Sequence, residues 1–91
     1  MEYDAFPAGD LIRKGIEDIQ AGIESPEALL VAIGRPRLQR LGISVPELPI
    51  KFPEVRLYEY VSRSDPNAAH SRYNALIRRL VSFERAVECA S

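Results

Sequence analysis

The sequence predicts an all-α fold: a small bundle of four to five helices in a single domain over residues 1–91, with a short buried central helix and a long C-terminal one. Three observations predict it. Apolar residues recur in steps of three and four near both ends of the chain. Prolines and glycines fall where helices start and stop. The one stretch rich in strand-forming residues, 54–63, has no second such stretch to pair with.

The first helix is expected over residues 10–21, with Asp10 as N-cap, Gly22 as the stop, and Leu11, Ile12, Ile16 and Ile19 on one face. Ile23 is expected to fold back onto that face beyond the glycine, as at a Schellman-type end. Gly15 stands inside the stripe, where a glycine costs about 1 kcal/mol against alanine, so its position predicts close approach by another helix.

Residues 25–42 carry the densest punctuation. Ser25 suits an N-cap, Pro26 the first helical position and Glu27 the positive end of the helix dipole, while Gly34 offers a left-handed stop. All six residues from Ala28 to Ile33 are apolar, which makes this helix the centre of the core. A second short helix is expected from Pro36 to Leu41, ended by Gly42. Arg37 and Arg40 lie on its exposed side and Arg35 in the connection.

Three prolines, Pro46, Pro49 and Pro53, forbid a long helix or a central strand after Gly42. The apolar Ile43, Val45, Leu48, Ile50 and Phe52 between them make this segment a strap laid along the core. Residues 54–63 are read as a helix, because Pro53 and Glu54 form a good first turn. The last helix is expected to start at Asp65 and Pro66 and to run uninterrupted to the C-terminus. Its seam, Ala69, Tyr73, Leu76, Leu80, Phe83, Val87 and Ala90, is widened by Ile77 and Val81 and serves chiefly as bundle core. Tyr73, Leu76, Leu80, Phe83 and Val87 are the candidate interface residues for self-association.

The chemistry-bearing residues are few. His70 and Cys89 are the sole histidine and cysteine, about 28 Å apart along one continuous helix, which excludes a nucleophile–base pair within the chain. No metal-ligand spacing, phosphate loop or cofactor motif occurs, so no metal or cofactor is expected. Glu84 falls inside the apolar face of the last helix and needs a partner, expected to be an arginine from another helix or a neighbouring protomer, or a backbone hydrogen-bond donor. Tyr58, Tyr60 and Tyr73 with Phe52 and Phe83 read as core aromatics, the tyrosine hydroxyls reaching solvent, ahead of an aromatic patch for a protein partner.

Charge is unevenly spread. Residues 1–34 hold seven acids against two bases, and residues 35–91 ten bases against six acids, although the chain as a whole carries −1. Internal complementarity is the expected use of that split, ahead of a basic binding surface. One cysteine permits no intramolecular disulfide, the N-terminus is acidic where a signal peptide is basic, and the longest apolar run is six residues. Together these point to a cytoplasmic protein without a membrane segment.

The expected function is that of a protein-interaction module, an adaptor or regulatory subunit that self-associates as a homodimer, and not an enzyme. The identity of a protein partner is not written in the chain. A DNA-binding regulator ranks second, with a helix-turn-helix-like unit at residues 26–41 and Arg35, Arg37 and Arg40 contacting nucleic acid or an acidic partner. The net-acidic chain makes that contact weak and salt-dependent. An enzyme with a site shared between protomers ranks third.

Overall fold

A computed structural model describes residues 3–90. Four helices form the fold: α1 (Gly9–Gln20), α2 (Pro26–Arg40), α3 (Pro53–Ser64) and α4 (Ala69–Ala90), preceded by a single 3-10 turn at Tyr3–Ala5. No strand occurs among the described residues. The count settles at four because residues 26–40, expected as two helices, form one.

Helix α2 is the hub and packs against α1, α3 and α4. Its N-terminus is built as the sequence predicts. The Ser25 hydroxyl accepts the Ala28 N–H at 3.1 Å and donates to Asp18 Oδ2 of α1 at 2.6 Å, and Lys14 Nζ stands 2.7 Å from the same carboxylate oxygen. Both contacts, with Lys14 foremost, hold the Asp18 carboxyl below its usual range. One side chain thus caps α2 and ties it to α1. Ala28, Leu29, Leu30 and Val31 are then fully buried, as a segment apolar on every face requires.

Gly34 and Pro36 do not end this helix. Gly34 is buried against α4, and a Cβ there would meet the Leu80 methyls at 2.8 and 3.1 Å, so the missing side chain serves a close helix crossing rather than a left-handed stop. Pro36 sits inside the helix, exposed, where it has no N–H to give the Ala32 carbonyl. The helix runs on past that single lost bond to Leu41 and Gly42. There the Ile43 N–H bonds the Leu38 carbonyl and the Gly42 N–H the Gln39 carbonyl, with Gly42 at φ 91°. This is a Schellman end, and Ile43 closes it by burying its side chain.

Helix α1 ends in the same way. Gly22 takes φ 73°, the Ile23 N–H bonds the Asp18 carbonyl and the Gly22 N–H the Ile19 carbonyl. Ile23 does not fold back, however, and stays 51% exposed. At the other end α1 starts one residue earlier than expected: the left-handed Ala8 takes the N-cap position, and Asp10 lies in the first turn. Gly15 is where α2 comes closest. A Cβ there would meet the Glu27 carbonyl oxygen and a Val31 methyl, both at 2.4 Å.

The strap behaves as predicted over most of its length. Ile43 and Val45 are buried, Leu48 and Ile50 half-buried. Phe52 breaks the pattern: it adopts φ 54° as the N-cap of α3 and turns outward. Residues 65–68 form a turn in which Asp65 accepts the Ala68 N–H, so α4 begins at Ala69 rather than at Pro66. Of its seam, Ala69, Leu80, Phe83 and Val87 are buried and Ala90 is exposed. Phe83 is covered from the N-terminal segment, with the rings of Phe6 at 5.9 Å and Tyr3 at 6.3 Å.

Candidate functional site

The structure separates the sequence-predicted residues sharply. Arg35 Nε donates to the Val45 carbonyl at 3.1 Å, with Gln39 Nε2 at 3.5 Å from the same oxygen, so this arginine holds the strap against α2. Arg37 reaches across to α4, its Nε 3.8 Å from Glu84 Oε1 and its Nη2 3.7 Å from Glu88 Oε1. Arg40 lies on the surface, where Arg37, Arg40, Leu41 and Glu88 border a recess of about 260 Å³. The three arginines therefore do not form one contact surface. With α2 continuous, the helix-turn-helix arrangement expected at residues 26–41 is absent.

Glu84 is 5% exposed and sits where α4 crosses Gly34. Burial pushes its carboxyl above the usual range, and the Arg37 guanidinium partly opposes that shift. The partner is an arginine of another helix in the same chain.

The interface candidates on α4 divide in two. Leu80, Phe83 and Val87 are buried inside the chain and have no surface to offer. Tyr73 and Leu76 are half-buried. The Tyr73 ring packs edge-on against Tyr58 of α3 at 5.7 Å, and burial, with Glu54 nearby, raises its phenol above the ordinary value. His70 and Cys89 are exposed near opposite ends of α4.

Helix α3 carries a surface that the sequence offers only as the second reading of its aromatics, and Phe52 and Tyr58, read as core, are exposed. It buries Leu57 and Val61, while Phe52 is 71% exposed, Val55 58% and Tyr58 40%. Val55 and Tyr58 stand three residues apart on α3 and Phe52 precedes them as its N-cap, so the three form an exposed apolar stripe at the start of the helix, whose far end, Tyr58, keeps one ring edge on Tyr73. The signal was present in the spacing: 52, 55 and 58 make one face and 57 and 61 another, so the helix is apolar on two sides. Reading Phe52 as part of the strap and Tyr58 as a core aromatic hid it. On a further side of α3, Arg56 Nε stands 3.0 Å from Glu24 Oε2, and the Tyr60 hydroxyl donates to the Glu24 carbonyl at 3.4 Å. Arg56 holds the Glu24 carboxyl below its usual range, and Glu24 pushes the Tyr60 phenol up.

A groove of about 340 Å³ lies between α3 and α4, beside the start of α2. Val61, Ala75, Leu76 and Pro26 give it an apolar floor, and Arg72 and Arg79 stand along its α4 side. No group of three or more potential metal-ligating side chains occurs among the described residues. No helix among them is long and apolar enough to cross a membrane. Comparison of the chain with protein-family models, curated proteins and solved structures finds no match.

Proposed function

We propose that this chain is a small protein-interaction module, an adaptor or regulatory subunit, that self-associates through the outer face of α3. The observation that carries the reading is the exposed stripe Phe52–Val55–Tyr58. Large apolar side chains grouped on one helix face are the usual mark of an association surface.

A second copy of the chain is the occupant the sequence of this face fits. A two-fold interface sets each residue against its mirror about the crossing point. About Val55, Phe52 and Tyr58 are each three residues away, and Lys51 and Glu59 each four. An antiparallel pair of α3 helices crossing at Val55 brings Tyr58 of each toward the Phe52 N-cap of the other, and Glu59 toward the end of the strap that carries Lys51, twice over. Three apolar side chains per protomer suit a weak, reversible dimer rather than an obligate one. The self-association expected from α4 is therefore moved to α3, because most of the α4 seam is spent on the core.

The role proposed is binding rather than catalysis. Arg35 and Arg37 are engaged within the chain, which weighs against the DNA-binding alternative. An exposed, unpaired Cys89 suits a reducing compartment, and we assign the cytoplasm.

Sedimentation over about 1 to 100 µM tests the proposal, since mass action makes a weak dimer visible as a rise in mass with concentration. The wild-type chain is expected to pass from one chain mass toward two, and Val55→Asp to remain a monomer with unchanged helical circular dichroism. A wild-type chain that stays monomeric throughout overturns the reading.

A further inference from the structure

We propose that the groove between α3 and α4 binds an acidic amphipathic helix from a partner protein, at a surface distinct from the α3 stripe. Its floor is Val61 from α3, Ala75 and Leu76 from α4, and Pro26 from the start of α2. Ala75 is the device that opens it. Any larger residue at that exposed position would project into the space its methyl leaves.

The charge of the rim selects the partner. Arg72 and Arg79 are seven residues apart on α4, which is about 10.5 Å along the axis with both side chains on the same side. Carboxylates seven residues apart on a second helix have the same spacing, so a ligand helix lying along α4 meets both guanidiniums at once. Apolar residues three and four places after its first acid then point at the groove floor between them, the helix-in-groove mode of recognition.

Both arginines are available for this exchange. Arg72 Nε stands 3.5 Å from Asp65 and Arg79 Nη2 3.9 Å from Asp10, and all four side chains are at least one-third exposed. Pairs so long and so wet contribute little, and a ligand carboxylate replaces them at small cost. The present partners act as placeholders that keep both guanidiniums beside the groove. At 340 Å³ the space lies near the lower end for ligand pockets, which suits one or two aliphatic side chains. The Tyr60 and Ser64 hydroxyls, which donate to the Glu24 and Tyr60 carbonyls, form the opposite lip.

The test is fluorescence anisotropy with a labelled alanine-based helical peptide carrying Glu at positions i and i+7 and Leu at i+3 and i+4. Binding is expected in the micromolar to millimolar range and weakens as salt rises. Arg72→Gln and Arg79→Gln are each expected to lower affinity about two- to five-fold, as rim charges do. Ala75→Leu, which fills the floor and favours the helix, is expected to lower it at least ten-fold. Val55→Asp should leave it unchanged, which separates this surface from the self-association face. The proposal is overturned if the peptide shows no binding at millimolar concentration, if a Gln/Gln peptide binds equally well, or if Ala75→Leu has no effect.

Discussion

Gly15 and Gly34 are both buried mid-helix glycines at helix crossings, yet they answer to different neighbours. A methyl at position 15 meets the backbone carbonyl of Glu27, which cannot move without shifting α2. A methyl at position 34 meets side-chain atoms instead, the ends of Leu80 and, at 3.3 Å, Glu84 Oε2, which can give way without moving a backbone. Gly15→Ala is therefore expected to destabilise by about 1–3 kcal/mol, the usual cost of overpacking. Gly34→Ala is expected to stay within about 1 kcal/mol of wild type, because alanine's better helix propensity offsets the crowding. Urea unfolding midpoints decide the order; equal costs would mean that α1 and α2 do not approach as closely as described.

Glu84 gives the chain a pH signature of its own. Burial raises its folded-state carboxyl above the unfolded one, so ionising it disfavours the fold. Its contribution is most favourable below the unfolded carboxylate pKa and is lost as pH rises through the raised folded value. Asp18 and Glu24, held low by Lys14 and Arg56, run the other way: their contribution is present above the unfolded pKa and lost as pH falls through the folded one. Glu84→Gln is accordingly expected to raise Tm at neutral pH, with the advantage shrinking as pH drops through the carboxylate range. A Tm gain that persists unchanged at acid pH would show that the charge of Glu84 is not what burial penalises.

At the scale of elements, the caps were legible and the continuity of α2 was not. Ser25, Gly22 and Gly42 do locally what their chemistry dictates, so they can be read without the fold. Gly34 and Pro36 are equally good stop signals, and they are overruled by contacts from outside the helix: Leu80 of α4 fills the space beside Gly34, and Arg35 and Gln39 bind Val45 of the adjoining strap. Nothing within residues 26–42 records those partners. The two apolar faces of α3 were hidden for a similar reason, since spacing alone does not say which face the bundle covers. The arginine at position 35 fixes the strap through one carbonyl. Arg35→Ala is expected to speed amide hydrogen exchange over residues 43–50 and to cost about 1–2 kcal/mol, as for a hydrogen bond from a charged donor. Unchanged exchange there would mean that Ile43 and Val45 alone hold the strap.

Over the whole molecule, the lopsided charge of the sequence is met partly within the acidic segment and partly across the fold. Glu24 of the acidic segment meets Arg56, and Asp10 meets Arg79, while Asp4, Glu17, Asp18 and Glu27 stand near Arg13 or Lys14. Glu2 lies outside the described residues. Arg13 and Lys14 are local partners that helical spacing makes readable, whereas Arg56 and Arg79 come from far along the chain and are not. What remains outward is an apolar stripe flanked by Lys51 and Glu59, and a groove edged by Arg72 and Arg79. As proposed, the first face takes a second copy of the chain and the second an acidic helix, the arrangement an adaptor needs.

A charge swap read by sedimentation tests the proposed two-fold pairing of α3, in which Glu59 of one protomer approaches Lys51 of the other. Lys51→Glu alone and Glu59→Lys alone each set like charges against each other across the two-fold axis and are expected to weaken the dimer. The double variant Lys51→Glu/Glu59→Lys restores opposite charges at both ends and is expected to recover wild-type association. A double variant as monomeric as either single one, or single variants that associate as wild type does, would contradict the account.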